Sequence, residues 1–376
     1  MTRAAPGATF RLVKASPAAA VVAAVAIAAG CATPPTGVPP PGGVAANTQA
    51  SGHVLVVKPR GGLDAIALPG LATSEVLPGD SPSTVIHAVS GPDANGLIVY
   101  IEDEVFAPPG RSPHHQLRLV HLDGTGRDEI FSRAGRALWA TTPAGKGEVG
   151  SHLALSPSDG LIAVQTDLVA VQMPAAYLHS GRLEIWHTQS RLIIHRARDV
   201  LDEGFAWFPD AQHLVFSRLV DPALIPDGEV KSSFAGWPTI PAVFLLDVHS
   251  GAERLLAAGW RPTVSGDGSV IAVADRRGHH HLVPFGSTTT SKVRWPGAPC
   301  TDVLALLSPS RVIARCPPGP GEVVEFTRNN SPLSGPKPMS ALKVVHLDSG
   351  QSATLVPHVD PRTRVSVGVA NPAAAD

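Results

Sequence analysis

One short frame of residues returns six times along this chain. Each copy has an apolar, strand-like run, then a second run that alternates apolar and polar residues and ends in a polar turn. The first runs are Val54–Val57, Leu97–Tyr100, Leu161–Val164, Leu214–Ser217, Val270–Val273 and Val312–Arg315. Most copies follow a turn of related chemistry, at Gly91–Asp93, Ser156–Gly160, Phe208–Asp210, Ser265–Gly268 and Ser308–Ser310. Short segments of period two are strands, because successive side chains of an extended chain point to opposite faces. A unit of a few strands cannot bury its apolar face alone, so like units at a spacing of about 40 to 65 residues must stack on one another.

Counting strands turns the repeat into an architecture. The second runs are Leu63–Leu68, Leu117–Gly124, Arg182–His187, Val243–Gly251, His280–Gly286 and Leu342–Gly350. Several end in Asp-Gly or Ser-Gly, which supply the positive φ that a hairpin turn needs. A further short strand follows at Glu129–Phe131, Leu192–Ile194, Glu253–Leu256 and Ala353–Val356. Inner strands precede the frame at Val85–Val89, His152–Leu155, Gly204–Trp207, Arg261–Val264 and Val303–Leu307. Four strands per unit is the composition of a propeller blade. The first unit lacks an inner strand, and the last alternation, Arg364–Val369, lacks a unit. Joined, they complete a sixth blade and close the ring, leaving no open sheet edge. The expected fold is an all-β, six-bladed β-propeller of four-stranded antiparallel blades over residues 53–370, with a disordered tail at 371–376.

Two segments carry a family resemblance. Phe205–Ser217 and Leu153–Val164 resemble the blade signature of TolB-type six-bladed propellers with WD40-like repeats. The resemblance implies the fold and leaves function open, since such blades serve as scaffolds, binding modules and gating domains.

The leader supplies an address. Arg3, Arg11 and Lys14 form a basic start, and Pro17–Ala29 follow as small, mostly apolar, uncharged residues. About 20 apolar residues are needed to span a bilayer, so residues 1–30 read as a signal peptide. Ala28-Ala29-Gly30-Cys31 resembles a bacterial lipoprotein lipobox, which implies cleavage before Cys31 and lipidation of that residue. Acyl chains at ~0.8 kcal/mol per buried methylene would hold the protein to a membrane at its extracytoplasmic side. No acidic residue immediately follows Cys31, which for this family implies the outer membrane in a diderm host, and in a monoderm the anchor would sit at the outer face of the cytoplasmic membrane. The proline- and glycine-rich stretch completing 31–52 is a stiff, solvated tether.

Lys plus Arg number 30 against 31 Asp plus Glu. No clustered basic segment appears, so nucleic acid is not an expected partner. Cys300 and Cys316 are the cysteines beyond Cys31. In an exported chain they are expected to pair. Simple register about the Pro309-Ser310 turn sets Cys300 opposite Gly319, three positions off, so a bulge or a proline-rich exit must absorb the difference.

Loop lengths put the elaboration on one face. In a blade, the loops after the second and fourth strands emerge together. Long segments after second strands run Glu102–Gln116, Thr166–Gly181, Arg218–Ala242 and Pro317–Ala341, and the linker Ser132–Ser151 joins them. Long loops in compact domains usually carry function. Trp139 and Trp237 are candidate anchors for a protein partner, or lids over the channel.

Catalytic motifs are absent: the sequence has no Gly-x-Ser-x-Gly elbow, phosphate loop or His-Glu-x-x-His. His279 and His281 share a strand face, with His280 opposed, and read as solvated outer-face side chains. His114 and His115 fall in a loop. No cofactor or metal is expected. The reading is a surface-anchored, non-catalytic propeller that binds an envelope protein or cell-wall component. The alternative is a metal-dependent hydrolase or lactonase-like enzyme at the channel mouth, where Glu203 and Asp302 are the acids at inner-strand starts.

Overall fold

The computed structural model describes residues 52–58, 61–68, 72–79, 84–104, 114–134, 152–173, 176–287, 290–293, 300, 302–317, 340–359 and 365–369. The first sheet contains β1 (Gly52–Val57), β2 (Leu63–Leu68) and β3 (Thr73–Leu77). The second runs β4 (Thr84–Ser90), β5 (Leu97–Glu104), β6 (His114–His121) and β7 (Asp128–Ala134) in sequence order. Next come β8 (Leu153–Leu155), β9 (Leu161–Met173), β10 (Ala176–His187), β11 (Leu192–Trp207), β12 (His213–Val220), β13 (Ile240–Asp247) and β14 (Glu253–Ala258). These seven form one antiparallel sheet in chain order. Two four-stranded sheets follow: β15 (Trp260–Val264), β16 (Val270–Ala274), β17 (His280–Pro284) and β18 (Ser291–Lys292), then β19 (Asp302–Ser308), β20 (Arg311–Cys316), β21 (Ser340–His346) and β22 (Ser352–Val359). Finally β23 (Val365–Val369) returns to pair antiparallel with β1, Gly52 opposite Val369 and Val56 opposite Val365.

The fold is all-β and propeller-like. Among the described residues it has four separate four-stranded sheets and one of seven strands, not six separate ones. The expected fourth strand at Leu192–Ile194 and the expected inner strand at Gly204–Trp207 are two ends of one 16-residue strand, β11. Its first part pairs with β10 up to Leu201, and its last part pairs with β12 through Phe205–Trp207. Asp202 and Gly204 are turn-forming residue types, yet the strand runs through them, and the missing Cβ of Gly204 leaves room for the close Leu201 carbonyl. A Cβ there would sit 2.5 Å from the Leu201 carbonyl oxygen.

The recurrent Ser and Asp of the frame have local roles. Buried Ser156 and Ser265 use their hydroxyl oxygens to accept the N–H of the residue that opens the next strand, Leu161 at 3.1 Å and Val270 at 3.0 Å. Asp93, Asp210, Asp247 and Asp275 each accept two backbone N–H bonds with one carboxylate oxygen, closing the polar turns. Such side-chain bonds stand in for backbone partners that a tight turn leaves unmade.

Apolar residues from neighbouring units meet in a chain of clusters. Leu55 and Leu63 pack with Ile98 and Tyr100, Val99 and Leu117 with Leu155 and Ile162, and Leu183 and Ile185 with Phe205 and Phe216. Val215 and Val243 meet Ile271 and Val273, Ala272 meets Leu306 and Val312, and Ile313 and Leu342 meet Val54 and Ile66. The innermost strands touch in the cyclic order β23, β4, β8, β11, β15, β19 and back to β23. Polar links tie this inner circle: Leu155 N–H donates to Ser90 Oγ at 2.9 Å, Trp207 Nε1 to the Ala154 carbonyl at 2.9 Å, and His152 Nε2 to that of Phe205 at 3.0 Å.

Cys300 and Cys316 form a disulfide with Cα atoms 4.1 Å apart. Two irregularities between β19 and β20, one between Val303 and Ala305 and one between Leu306 and Ser308, absorb two of the three positions, and the last is taken up beyond the paired residues. They bring Asp302 opposite Arg315, next to the bonded pair.

Candidate functional site

A further cluster gathers the ends of β9 and β10, the segment between β12 and β13, and parts of β11, β13, β14 and β15. Most of Thr166–Gly181, expected as a loop, is strand: β9 and β10 pair up to Met173 opposite Ala176, with one register shift between Ser180 and Arg182. The apolar run Leu168–Val171, β-branched at Val169 and Val171, favours an extended chain. Between β12 and β13 the chain forms a compact lid. Asp221 Oδ1 accepts the N–H of Ala223 at 2.8 Å and starts a 3₁₀ turn, Pro222–Leu224. A helical turn, α1 (Glu229–Ser233), follows. Lys231 Nζ holds the two together by donating to the Ile225 carbonyl at 2.7 Å and to Asp227 Oδ1 at 2.8 Å.

Met173 and Leu178 of the hairpin bury against Ile225, Val230, Phe234 and Trp237 of the lid, over Leu201 and Ala258. Trp260, at the start of β15, packs against the same cluster. The Phe234 and Trp237 rings meet edge-on at 5.3 Å. Trp237 is only 5% exposed, so it is an internal anchor of the lid and not an exposed handle on the rim. At roughly 1.5–3 kcal/mol per buried large apolar side chain, the lid holds itself in shape.

The lid meets the turn between β16 and β17. Arg276 N–H donates to Ser233 Oγ at 3.3 Å, and its guanidinium lies 5.4 Å from the centre of the Trp237 ring. Here the histidine run departs from expectation: His280 and His281 are 5% and 0% exposed, not solvated. β17 is covered on both faces, because Asp275 lies at its start and β19 lies beside it. His281 Nε2 is 3.3 Å and His279 Nδ1 3.2 Å from Asp275 Oδ2. His280 Nε2 accepts the N–H of Val303 at 3.3 Å, a bond to the next sheet. Burial pushes the Asp275 carboxyl upward, but backbone N–H bonds from His279 and Arg277 and the two imidazoles outweigh it. It therefore ionises below its ordinary range. Lys292 Nζ stands 3.2 Å from His279 Nδ1.

Arg261 follows Trp260 at the same end of the sheet. Its φ is +49°, a region that side chains with a Cβ seldom occupy, and it sits in a bulge between Trp260 and Thr263. Its guanidinium lies 5.6 Å from the Trp260 ring centre.

The other expected site residues are distributed as follows. Glu203 lies within β11 and Asp302 heads β19, and their side chains are outside the described residues. Trp139, Cys31 and most of Pro317–Ala341 are outside them too. His114 and His115 belong to β6 rather than to a loop. Among the described residues, no group of three His, Cys, Asp or Glu side chains is arranged to hold a metal ion, and no helix is long and apolar enough to cross a membrane. The lid's internal core was legible only in part, because its apolar residues show neither strand nor long helical period.

No protein-family model matches the chain, and no curated protein matches it. Solved structures with a similar chain path include the β-propeller domain of Cps50 (Swd1) from Myceliophteria thermophila. That alignment has 11% identity and a TM-score of 0.40, over 70% of this chain and 89% of that one. An oligogalacturonate lyase from Vibrio parahaemolyticus aligns at 10% identity with a TM-score of 0.41, over 70% of each chain.

Proposed function

We propose that this chain is a lipid-anchored, non-catalytic β-propeller that binds an envelope protein or cell-wall component through the face bearing the lid. One observation carries the reading: the hairpin of β9 and β10 and the lid between β12 and β13 share a core of their own on one face. Chain added to a repeat without a role tends to stay short, and a surface fixed in advance loses little entropy on binding. Leu224, 66% exposed on the lid, is the apolar contact such a face offers.

On this reading the seven-stranded sheet is two blades sharing β11; the cyclic order of inner strands supports six blades, and the resemblance of Phe205–Ser217 and Leu153–Val164 supports the TolB-type kind. The leader ending at Cys31 and the disulfide both suit an exported protein. The attachment is tested by Cys31→Ser, which should move the protein from membranes to the soluble fraction. A wild-type protein that is already soluble with an unmodified amino terminus overturns the anchor. The binding face is tested by Leu224→Asp, a surface change that spares the core. It should abolish retention of the protein on isolated envelope material at unchanged melting temperature. Retention equal to wild type overturns the face.

A further inference from the structure

We infer that the end of the sheet β15–β18 beside the lid is a binding site for an oxyanion, a carboxylate or phosphate group carried by the ligand. This deepens the binding-face reading above and rests on it.

The charges of this sheet are segregated. From Gly259 to Val293 the basic residues are Arg261, Arg276, Arg277 and Lys292, and the acids are Asp267 and Asp275. Pairing of Trp260 with Ala274, Ala274 with His280 and His281 with Lys292 brings all four cations to one end. Asp267 sits in the turn at the opposite end, where it accepts from Ser265 and Ser269. Asp275 shares the cationic end but is buried, with its oxygens already engaged by two amides and two imidazoles. Among the lid's acids, Asp227 is tied to Lys231, and Glu229 lies one helical turn from the Ser233 that touches Arg276.

Among the described residues, neither the Arg276 nor the Arg277 guanidinium is ion-paired, although both are exposed and adjacent. In a chain of nearly balanced charge, such crowding of like charge is a standing repulsion that a bound anion relieves. Two of the guanidiniums are also oriented. Arg276 stacks on Trp237, which leaves its in-plane N–H groups for two parallel bonds to an oxyanion, while Arg261 lies over Trp260 and adds its charge to the same end. The left-handed backbone at Arg261 has a conformational cost that is retained at this one place on the inner strand.

The test uses the full-length protein and two probes, pyrophosphate and citrate, titrated calorimetrically at low salt. Saturable binding of either probe is expected, and the tighter one distinguishes a phosphate-bearing from a carboxylate-bearing ligand. Arg276→Gln with Arg277→Gln should weaken it about tenfold or more, the scale of a lost charge-assisted hydrogen bond. Arg254→Gln, exposed at the far end of β14, should leave binding unchanged. No binding of either probe, equal binding by the double variant, or equal loss in the Arg254 control overturns the inference. If envelope retention still depends on Leu224 in that case, the binding face stands and only its anionic ligand falls. If the probes bind through the arginines but Leu224→Asp leaves retention intact, the site stands without the face.

Discussion

Cys300 and Cys316 are bonded across a hairpin that, left regular, would have put them out of register. The two bulges between β19 and β20 bring Asp302 opposite Arg315, and the disulfide closes beyond that pair, two residues before Asp302 and one after Arg315. Both sulfurs are buried with Leu306 and Val312 at the interface with the preceding sheet. The covalent bond therefore fixes the edge of an interface as well as a hairpin.

Its loss has a calculable scale. With a sequence separation of 16, the chain-entropy model gives about 3 kcal/mol. The double variant Cys300→Ser, Cys316→Ser should unfold at correspondingly lower denaturant, and wild type should drop to the same midpoint under reductant. Two free thiols in the denatured, unreduced protein would mean that no such bond forms.

Ring closure gives a second expected outcome. β23 covers the edge of β1, where Val54 and Leu55 are fully buried. Ending the chain at Asp360 removes that partner and uncovers both side chains, at roughly 1.5–3 kcal/mol each. Since whole domains are stable by only ~5–15 kcal/mol, the truncated protein should melt far lower or aggregate through the open edge. A truncation that melts like wild type would sink the closure.

The lid should yield separately from the ring. Phe234 is 1% exposed and contacts Trp237 within the accessory cluster. Phe234→Ala leaves a cavity of a kind that costs about 3–5 kcal/mol in a core. Because that cluster serves the lid, the cost should surface as local opening. Limited proteolysis should cut between Asp221 and Trp237 in the variant well below its melting temperature. Equal protection of both proteins contradicts a lid held by its own core.

The repeat frame was readable because each strand's period and each turn's chemistry are local. Ser156, Ser265 and Asp275 act within a few residues of themselves. β11 was not, since its merging of two units depends on the absence of a break across Leu201–Gly204, where nothing local forbids a turn. His280 was misplaced for a different reason. Its imidazole accepts from Val303, far along the chain, and the residue type does not state its own environment. The cationic end of β15–β18 was invisible to a search for basic runs, because Arg261, Arg276 and Lys292 converge only once the strands pair.

Acid should weaken the fold already near neutrality. Burial lowers the pKa of His53, His179 and His195 below the ordinary imidazole value, the opposing pull of Glu253 on His195 being smaller. His195 Nε2 is also buried without a hydrogen-bond partner among the described residues. A base whose folded pKa is depressed binds its proton more readily in the unfolded chain. Its stabilising contribution is complete above about pH 6.5, the unfolded value, and is lost as pH falls through the folded one. Asp275 adds a second, more acid component, because its depressed carboxyl contributes only above the ordinary carboxylate range of about 4. Melting temperature should therefore decline from about pH 7 downward in one phase, then again below about pH 4. His195→Gln removes one imidazole from the first phase and should flatten it while leaving the second in place. A wild-type melting temperature constant across the first interval would show that these histidines are not desolvated in the folded protein.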